Sequence, residues 1–351
     1  MVNVRDFEGA AKAVLDPVYY DYFASGAQDE VTVRANEEAF RRLALVPRVL
    51  RGHKPPRLGH TVLGSQASMP IMVSPTAFHR LAHPEGERAS ARAAAEAGVI
   101  MIAAMLATVA VEDMAAEARK VADDPALWFQ LYLQPDLGFT EALVRRAEAA
   151  GCAALVVTVD SPALGRNERG DRNGFHDLPP GIRCENLREA GGDVRSVVLS
   201  PEISWRHIDW LRGVTALPIV LKGVLHPADA ALALRHGVDA ILVSNHGGRQ
   251  LDGTPAAVDR LPVLADAVGG EIPLLLDGGI RRGTDVVKAL ALGASAAAIG
   301  RPVLWGLAAD GEQGVSRVLG LLRTELLNAL TLCGCDSAES VPRDLVVRGA
   351  M

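Results

Sequence analysis

Asp239-Ala240-Ile-Leu-Val243-Ser244-Asn245-His246-Gly247-Gly248-Arg249-Gln250 joins a continuously apolar run to a polar, glycine-rich end. A run of that length without alternation is the pattern of a strand buried on both faces, as in parallel sheets covered by helices. Its end combines a proton acceptor, His246, with an anion clamp, Arg249. That pair suits proton removal from a carbon beside a carboxylate. Outward from this stretch the same pattern recurs seven times: Pro70-Ile-Met-Val-Ser74, Val99-Ile-Met-Ile-Ala103, Trp128-Phe-Gln-Leu-Tyr132, Ala154-Leu-Val-Val-Thr-Val159, Pro218-Ile-Val-Leu-Lys222, Pro273-Leu-Leu-Leu-Asp277 and Ala296-Ala-Ala-Ile-Gly300. Helical patterns separate them, among others at 84–97, 139–150, 226–236 and 284–292. Eight strands, each followed by a helix, predict an α/β fold of the (β/α)8 TIM-barrel type. An open doubly wound sheet ranks second, because it needs fewer strands and an edge.

The remaining segments fit around that barrel as one domain over 1–351. Residues 1–65 read as an N-terminal helical cap or plug with helices at 4–15 and 17–24, residues 66–335 as the barrel, and 336–351 as a tail. One long interruption, 166–215, contains Pro179-Pro180-Gly181 and Gly191-Gly192 and follows strand four. It therefore emerges on the C-terminal face, where long loops act as lids. Of the 351 residues 49% are hydrophobic and only 4% aromatic, which suits Ala/Gly/Val/Leu-rich α/β layers. The net charge of −6 and the lack of a dense Lys/Arg cluster argue against a nucleic-acid partner. The N-terminus lacks the pattern of a signal peptide, and the longest apolar stretch, 289–299, is too short to span a bilayer. Cys152, Cys184, Cys333 and Cys335 lie apart from any histidine set that would complete a metal site, so no metal is expected. Reduced thiols, a cytoplasmic location and no membrane association are the expectation.

In a barrel, chemistry sits at the C-terminal ends of the strands. Those ends hold Pro75-Thr76-Ala77, Ala104, Gln130 with Tyr132, Thr158 with Asp160, Lys222, Ser244 with His246 and Arg249, Asp277-Gly278-Gly279, and Gly300-Arg301. A lone histidine is more often structural than catalytic. Here Asp160 can hold its far N–H and Arg249 can hold a carboxylate beside it, which reverses that expectation. Asp277-Gly278-Gly279-Ile-Arg281-Arg282-Gly283 and Ile299-Gly300-Arg301 end strands seven and eight, where barrels bind phosphate through glycine backbone N–H groups and an arginine fork. Taken singly, each motif is better explained by a tight turn; together, and in these strands, they favour phosphate. Lys222 must meet an anion or lose its charge. A Schiff base, a pair with Asp277, and the electron-rich edge of a reduced flavin remain equally open for it.

These strings together resemble the FMN-dependent 2-hydroxy-acid oxidase/dehydrogenase family, which includes glycolate oxidase, lactate oxidase, mandelate dehydrogenase and hydroxymandelate oxidase. Pro75-Thr-Ala77, Phe129-Gln-Leu-Tyr132, Thr158-Val-Asp160, Lys222-Gly223, Ser244-Asn-His-Gly-Gly-Arg249, Asp277-Gly-Gly-Ile-Arg-Arg-Gly283 and Ile299-Gly-Arg301 carry the likeness, which runs from Tyr20 to Cys335. The resemblance implies that His246 takes the substrate proton, with Asp160 stabilising the resulting cation. Arg249 would hold the carboxylate, Tyr132 would bond the substrate oxygen, and Tyr22 would close the carboxylate site. Lys222 would offset negative charge on reduced FMN. Pro75, Thr76, Ala77, Ala104, Gln130, Thr158 and Ser244 would contact its ring and ribityl chain. Asp277, Gly278, Gly279, Arg281, Gly300 and Arg301 would hold the ribityl phosphate end. Oxygen would be the acceptor and hydrogen peroxide a product, in a homotetramer or octamer.

Three departures from the family pattern bear on substrate choice. Asn167 stands where members carry a second carboxylate-binding arginine. Either Arg166 or Arg169 substitutes for it, or the substrate carries an ester, an amide or a carrier in place of a free carboxylate. Ala104 stands in place of a flavin-contacting serine. Leu106, with Met105 beside it, replaces a bulky aromatic, leaving space for an aryl or otherwise large side chain. Ala77 resembles the oxygen-using members, and the polar 166–215 loop argues against membrane insertion. The leading expectation is an oxidase of (S)-2-hydroxy acids of the mandelate type. The alternatives are a flavin-dependent tailoring oxidase acting on a peptide-bound, esterified or amine compound, and a non-redox barrel using Lys222 as a Schiff base.

Overall fold

The computed structural model describes residues 1–52, 54–189 and 191–349; positions 53 and 190 and the final two residues of the tail lie outside the described residues. The eight apolar runs form the eight strands of one closed, all-parallel barrel: Ile71–Val73, Met101–Ala103, Leu127–Leu131, Leu155–Thr158, Ile219–Lys222, Ala240–Val243, Leu274–Asp277 and Ala294–Ile299. Each strand pairs with its sequence neighbours, and the last closes on the first through Ala297 beside Ile71 and Ile299 beside Val73. Residues that point inward, such as Met72, Ile102, Trp128, Val156, Leu242 and Leu275, pack as a second core separate from the layer between strands and helices. Two packed layers explain why the strands read as apolar throughout rather than alternating.

A hairpin, His60–Val62 with Ser65–Ala67, closes the N-terminal floor. Val62 joins the inner core, and Ser65 Oγ accepts the buried Trp128 indole N–H at 2.9 Å. The predicted plug is therefore a hairpin. The N-terminal helices Val4–Val14, Pro17–Ala24 and Val31–Arg41 flank the barrel and reach its opposite, C-terminal end.

Two further differences concern boundaries. The predicted interruption at 166–215 includes Trp205–Val214, the helix between strands four and five, which buries Ile208 and Leu211. Only 159–204 forms the excursion over the barrel mouth, with one short helix, Glu168–Asn173. The tail is also less separate than its sequence suggests. Val346–Arg348 pairs antiparallel with Leu43–Leu45, tying the two ends of the chain together.

Candidate active site

Strand six delivers Ser244 to the mouth, and the chain then turns through three left-handed residues: His246 (φ 58°), Gly247 (φ 61°) and Gly248 (φ 78°). Gly248 cannot carry a side chain, since a Cβ there would lie 2.7 Å from the Val33 backbone nitrogen. His246 has no glycine's freedom, so its positive φ is strained. The Ser244 hydroxyl, fully buried, accepts the His246 backbone N–H at 3.0 Å.

The imidazole Nδ1 lies 2.9 Å from Asp160 Oδ1 at the end of strand four. Burial alone would raise the Asp160 carboxyl, but His246, Lys222 and Ser161 outweigh it and hold it at about 2. A carboxylate so acidic is only an acceptor, which assigns the ring proton to Nδ1 and leaves the Nε2 lone pair free. Burial, with Lys222 and Arg249 as neighbouring cations, lowers the His246 pKa despite Asp160. The resting imidazole is neutral and able to accept a proton. Ser161 Oγ also donates to Asp160 at 3.0 Å and accepts from Gln250 Nε2 at 2.7 Å, locking the carboxylate from behind.

Arg249 stands beside this pair. Its Nη1 donates to the carbonyls of Tyr22 (2.7 Å) and Ser25 (3.0 Å), and its guanidinium lies 4.9 Å from the Tyr22 ring centre. Among the described residues no carboxylate pairs with the guanidinium and the Tyr22 phenol is beside it, so its charge remains for a substrate carboxylate. Tyr22 stacks on Phe78 at 5.4 Å, which fixes its ring. Burial raises the pKa of both the Tyr22 and the Tyr132 phenol, and for Tyr132 the Asp160 charge adds to it. Both phenols therefore stay protonated and can donate. Asn167 is engaged elsewhere: its Oδ1 accepts Gly170 N–H at 3.1 Å as the N-cap of Glu168–Asn173. Both alternative cations are held by carboxylates, Arg166 at the cavity wall and Arg169 outside it. Arg166 pairs with Asp171, and Arg169 pairs with Glu30 and Asp21.

The ends of strands seven and eight build an anion cradle. Arg301 donates to the carbonyls of Phe23 (2.9 Å), Gly247 (3.0 Å) and Ser25 (2.8 Å) and has no carboxylate partner among the described residues. Burial and the nearby Arg249 and Arg281 push its pKa down to about 9. Arg281, also buried, meets Glu37 at 3.1 Å. Buried guanidinium groups that repel one another call for an anion. Gly279 (φ 82°) abuts the Asn36 carbonyl, and Gly300 lies against the Thr76 methyl, so neither tolerates a Cβ without displacing its neighbour. Between the two halves, Lys222 Nζ lies 3.9 Å from Asp277 Oδ2, which also accepts from Ser74 Oγ at 2.9 Å. Asp277 Oδ1 is buried with no partner. Gln130 bridges Met105 N–H and the Thr158 hydroxyl, both at 3.1 Å.

All these groups surround one cavity of about 1510 Å³. Of the residues singled out from the sequence for catalysis, substrate or cofactor, those that do not line it are Asp160, which stands behind His246, Ser244, which lies beneath the turn, and Met105 and Arg169. Pro75, Ala77, Ala104 and Gly278 contribute to its wall without a distinguishing polar side chain. The excursion after strand four covers the cavity with Phe175, Leu178, Pro179 and Ile182. Sequence reasoning passed over Ser161, Gln250, Asn36 and Phe78. Gln250 stood inside the decisive motif and Ser161 directly follows Asp160, while Asn36 and Phe78 act through partners remote in sequence.

A family profile described as FMN-dependent dehydrogenase matches residues 11–348. An L-lactate oxidase of Nostoc sp. is 46% identical over 354 residues, covering 97% of this chain and 96% of that protein. Human 2-hydroxyacid oxidase 1 is 44% identical, covering 99% of this chain and 96% of that protein. A solved mandelate oxidase with 3,3-difluoro-2-hydroxy-3-phenylpropionic acid is 42% identical, covers both chains completely and superposes with a TM-score of 0.92. Matched in this way over nearly its whole length, the chain belongs to the FMN-dependent dehydrogenase family.

Proposed function

We propose that the protein is an oxidase of (S)-2-hydroxy acids, favouring aryl or medium-sized acids of the mandelate type, with oxygen as acceptor. The observation that carries this reading is the neutral His246 imidazole, backed by the Asp160 carboxylate at 2.9 Å and flanked by the Arg249 guanidinium.

The residues present fit FMN. Arg281 and Arg301 are buried cations suited to its phosphate, and the orphan Oδ1 of Asp277 suits a ribityl hydroxyl. Gln130 and Thr158 offer an amide and a hydroxyl to the ring edge, and Lys222 brings positive charge where reduced FMN is negative. Held by these residues, FMN would supply the two-electron acceptor for the substrate, with oxygen as the final acceptor and hydrogen peroxide the product. The Arg249 guanidinium binds and orients the carboxylate, with the Tyr22 phenol closing the same side. Tyr132 donates to the substrate oxygen. His246 Nε2 receives the substrate proton, and Asp160 stabilises the imidazolium so formed without taking a proton itself. Phe175, Leu178 and Ile182 shield the chamber from water and give an apolar wall to the substrate side chain. Leu106, also on that wall, leaves room for an aryl group.

One observation favours a second reading. Asn167 serves as a helix cap while Arg166 and Arg169 are paired elsewhere, leaving Arg249 as the guanidinium beside His246. A substrate whose carboxyl is esterified, amidated or carrier-bound would need no second one. We further infer a cytoplasmic homotetramer or octamer, supported by four free cysteines and by Val49 and Leu50 standing exposed together. No helix among the described residues is long and apolar enough to cross a membrane. The test is a panel of 2-hydroxy acids given to the purified yellow holoenzyme. Peroxide formation, strongest with (S)-mandelate-like acids, is expected; turnover of amides or esters in preference to every free acid would reverse the choice between the two readings.

A further inference from the structure

His246 is held in a conformation it does not favour, and the neighbours that impose it lie outside the barrel. Asn245, immediately before it, is buried and faces Asn36 of the helix Val31–Arg41, also buried. The two amides pair reciprocally: Asn36 Nδ2 donates to Asn245 Oδ1 at 2.9 Å, and Asn245 Nδ2 donates to Asn36 Oδ1 at 2.8 Å. The second Asn245 hydrogen goes to the Pro255 carbonyl at 3.1 Å, and Asn36 Oδ1 accepts Ala257 N–H at 3.3 Å. Nearly every polar valence of the pair is thus directed, which leaves the Asn245 backbone little room to rotate. The same helix blocks the far side of the turn, because Val33 lies against Gly248, and Ala27 N–H donates to the Gly248 carbonyl at 2.8 Å. Asn36 also backs the anion cradle: its carbonyl abuts Gly279 and its amide lies 3.4 Å from where a Gly278 Cβ would sit.

We propose that Asn36 is a positioning residue for the reaction, its reciprocal amide pair with Asn245 holding the left-handed turn that aims the His246 imidazole into the cavity. The proposal rests on the reading of His246 as the base. It differs from a stabilising role in a way that can be measured. Removing one amide strands its buried partner and destabilises the fold. Replacing both by leucines removes the stranded amide, leaves only the Pro255 carbonyl and Ala257 N–H without these partners, and still abolishes the directed pair.

The experiment compares Asn36→Leu, the double Asn36→Leu/Asn245→Leu and His246→Asn holoenzymes by melting temperature, FMN content, kcat, KM and the His246 Nδ1–H proton resonance. The double variant is expected to recover part of the melting temperature lost by the single one and to stay yellow. Its kcat should nevertheless remain down by about 10²-fold, the order expected for a misplaced catalytic group, with KM within about threefold. The downfield proton of the His246–Asp160 bond should broaden or move. Recovery of kcat together with stability, with that resonance unchanged, would reduce the pair to a structural contact and overturn the proposal. If His246→Asn itself keeps wild-type turnover, the reading of His246 as base fails instead, whatever the leucine variants do.

Discussion

Asp160→Asn isolates what the carboxylate gives the imidazole while preserving size and the acceptor at 2.9 Å. In the folded protein the Asp160 carboxyl is held at about 2, against an ordinary value of 3.8. At about 1.36 kcal/mol per decade, that gap is worth roughly 2 kcal/mol in favour of the ionised form. Lys222 and Ser161 share in it and burial opposes it, so the figure is the net of these contributions and sets their order of magnitude. The interaction grows as the imidazole becomes imidazolium, because a neutral partner is then replaced by a cation. Losing it should therefore lower kcat/KM by about 30- to 100-fold, with most of the loss in kcat, since Arg249 and Tyr22 still hold the substrate. The measurement is oxygen consumption with a saturating 2-hydroxy acid, paired with FMN content and melting temperature to confirm an intact holoenzyme. A loss under threefold would show that Asp160 does not support the proton transfer and would refute the reasoning.

Other consequences follow from the same geometry. Because burial, Lys222 and Arg249 lower the His246 pKa, the acidic limb of kcat/KM should fall below pH 6.5, the ordinary value, and move lower still in Asp160→Asn. The Asp160 carboxyl is depressed, so the stability it confers is fully present above pH 3.8 and is lost as pH falls toward 2, a loss that acid titration of the melting temperature should show and Asp160→Asn should lack. Inorganic phosphate should raise the melting temperature of the FMN-free protein by occupying the Arg281–Arg301 cradle, and Arg301→Ala should abolish that shift and weaken FMN binding at least tenfold, read by fluorescence titration. Asn167→Arg should raise kcat/KM for free acids by roughly tenfold if a second guanidinium is what the site lacks, and leave ester or amide turnover unimproved.

The barrel was legible because its strands are buried on two faces. Runs such as Ala240-Ile-Leu-Val243 are too uniformly apolar for surface helices and too short for membrane spans. The helices Val111–Ala118 and Ala257–Val268 were harder to see. The first carries Ala-rich polarity on a short span, and the second has Pro262 in its interior. Trp205–Val214 was absorbed into the loop before it because only Ile208 and Leu211 mark its buried face. At the site, the motifs named most residues that meet the cavity through a strand end, though not Ser74, which donates to Asp277. They did not disclose what those residues lean on. Ser25 lends one carbonyl to both Arg249 and Arg301, and Asn36 lies 209 positions from the asparagine it pairs with. Contacts of that kind arise when the N-terminal segment folds over the barrel mouth, and no local spacing encodes them. Asn167 shows the reverse: its departure from the family pattern was visible, while its use as a helix cap was not.

The decisive measurement is rapid anaerobic mixing of holoenzyme with (S)-mandelate, following the yellow absorbance in wild-type and His246→Asn proteins of equal FMN content. Bleaching within seconds in the wild type, slowed by about 10³-fold or more in His246→Asn, is the expected outcome for a single imidazole acting as base. Equal bleaching rates in both proteins would remove His246 from the chemistry.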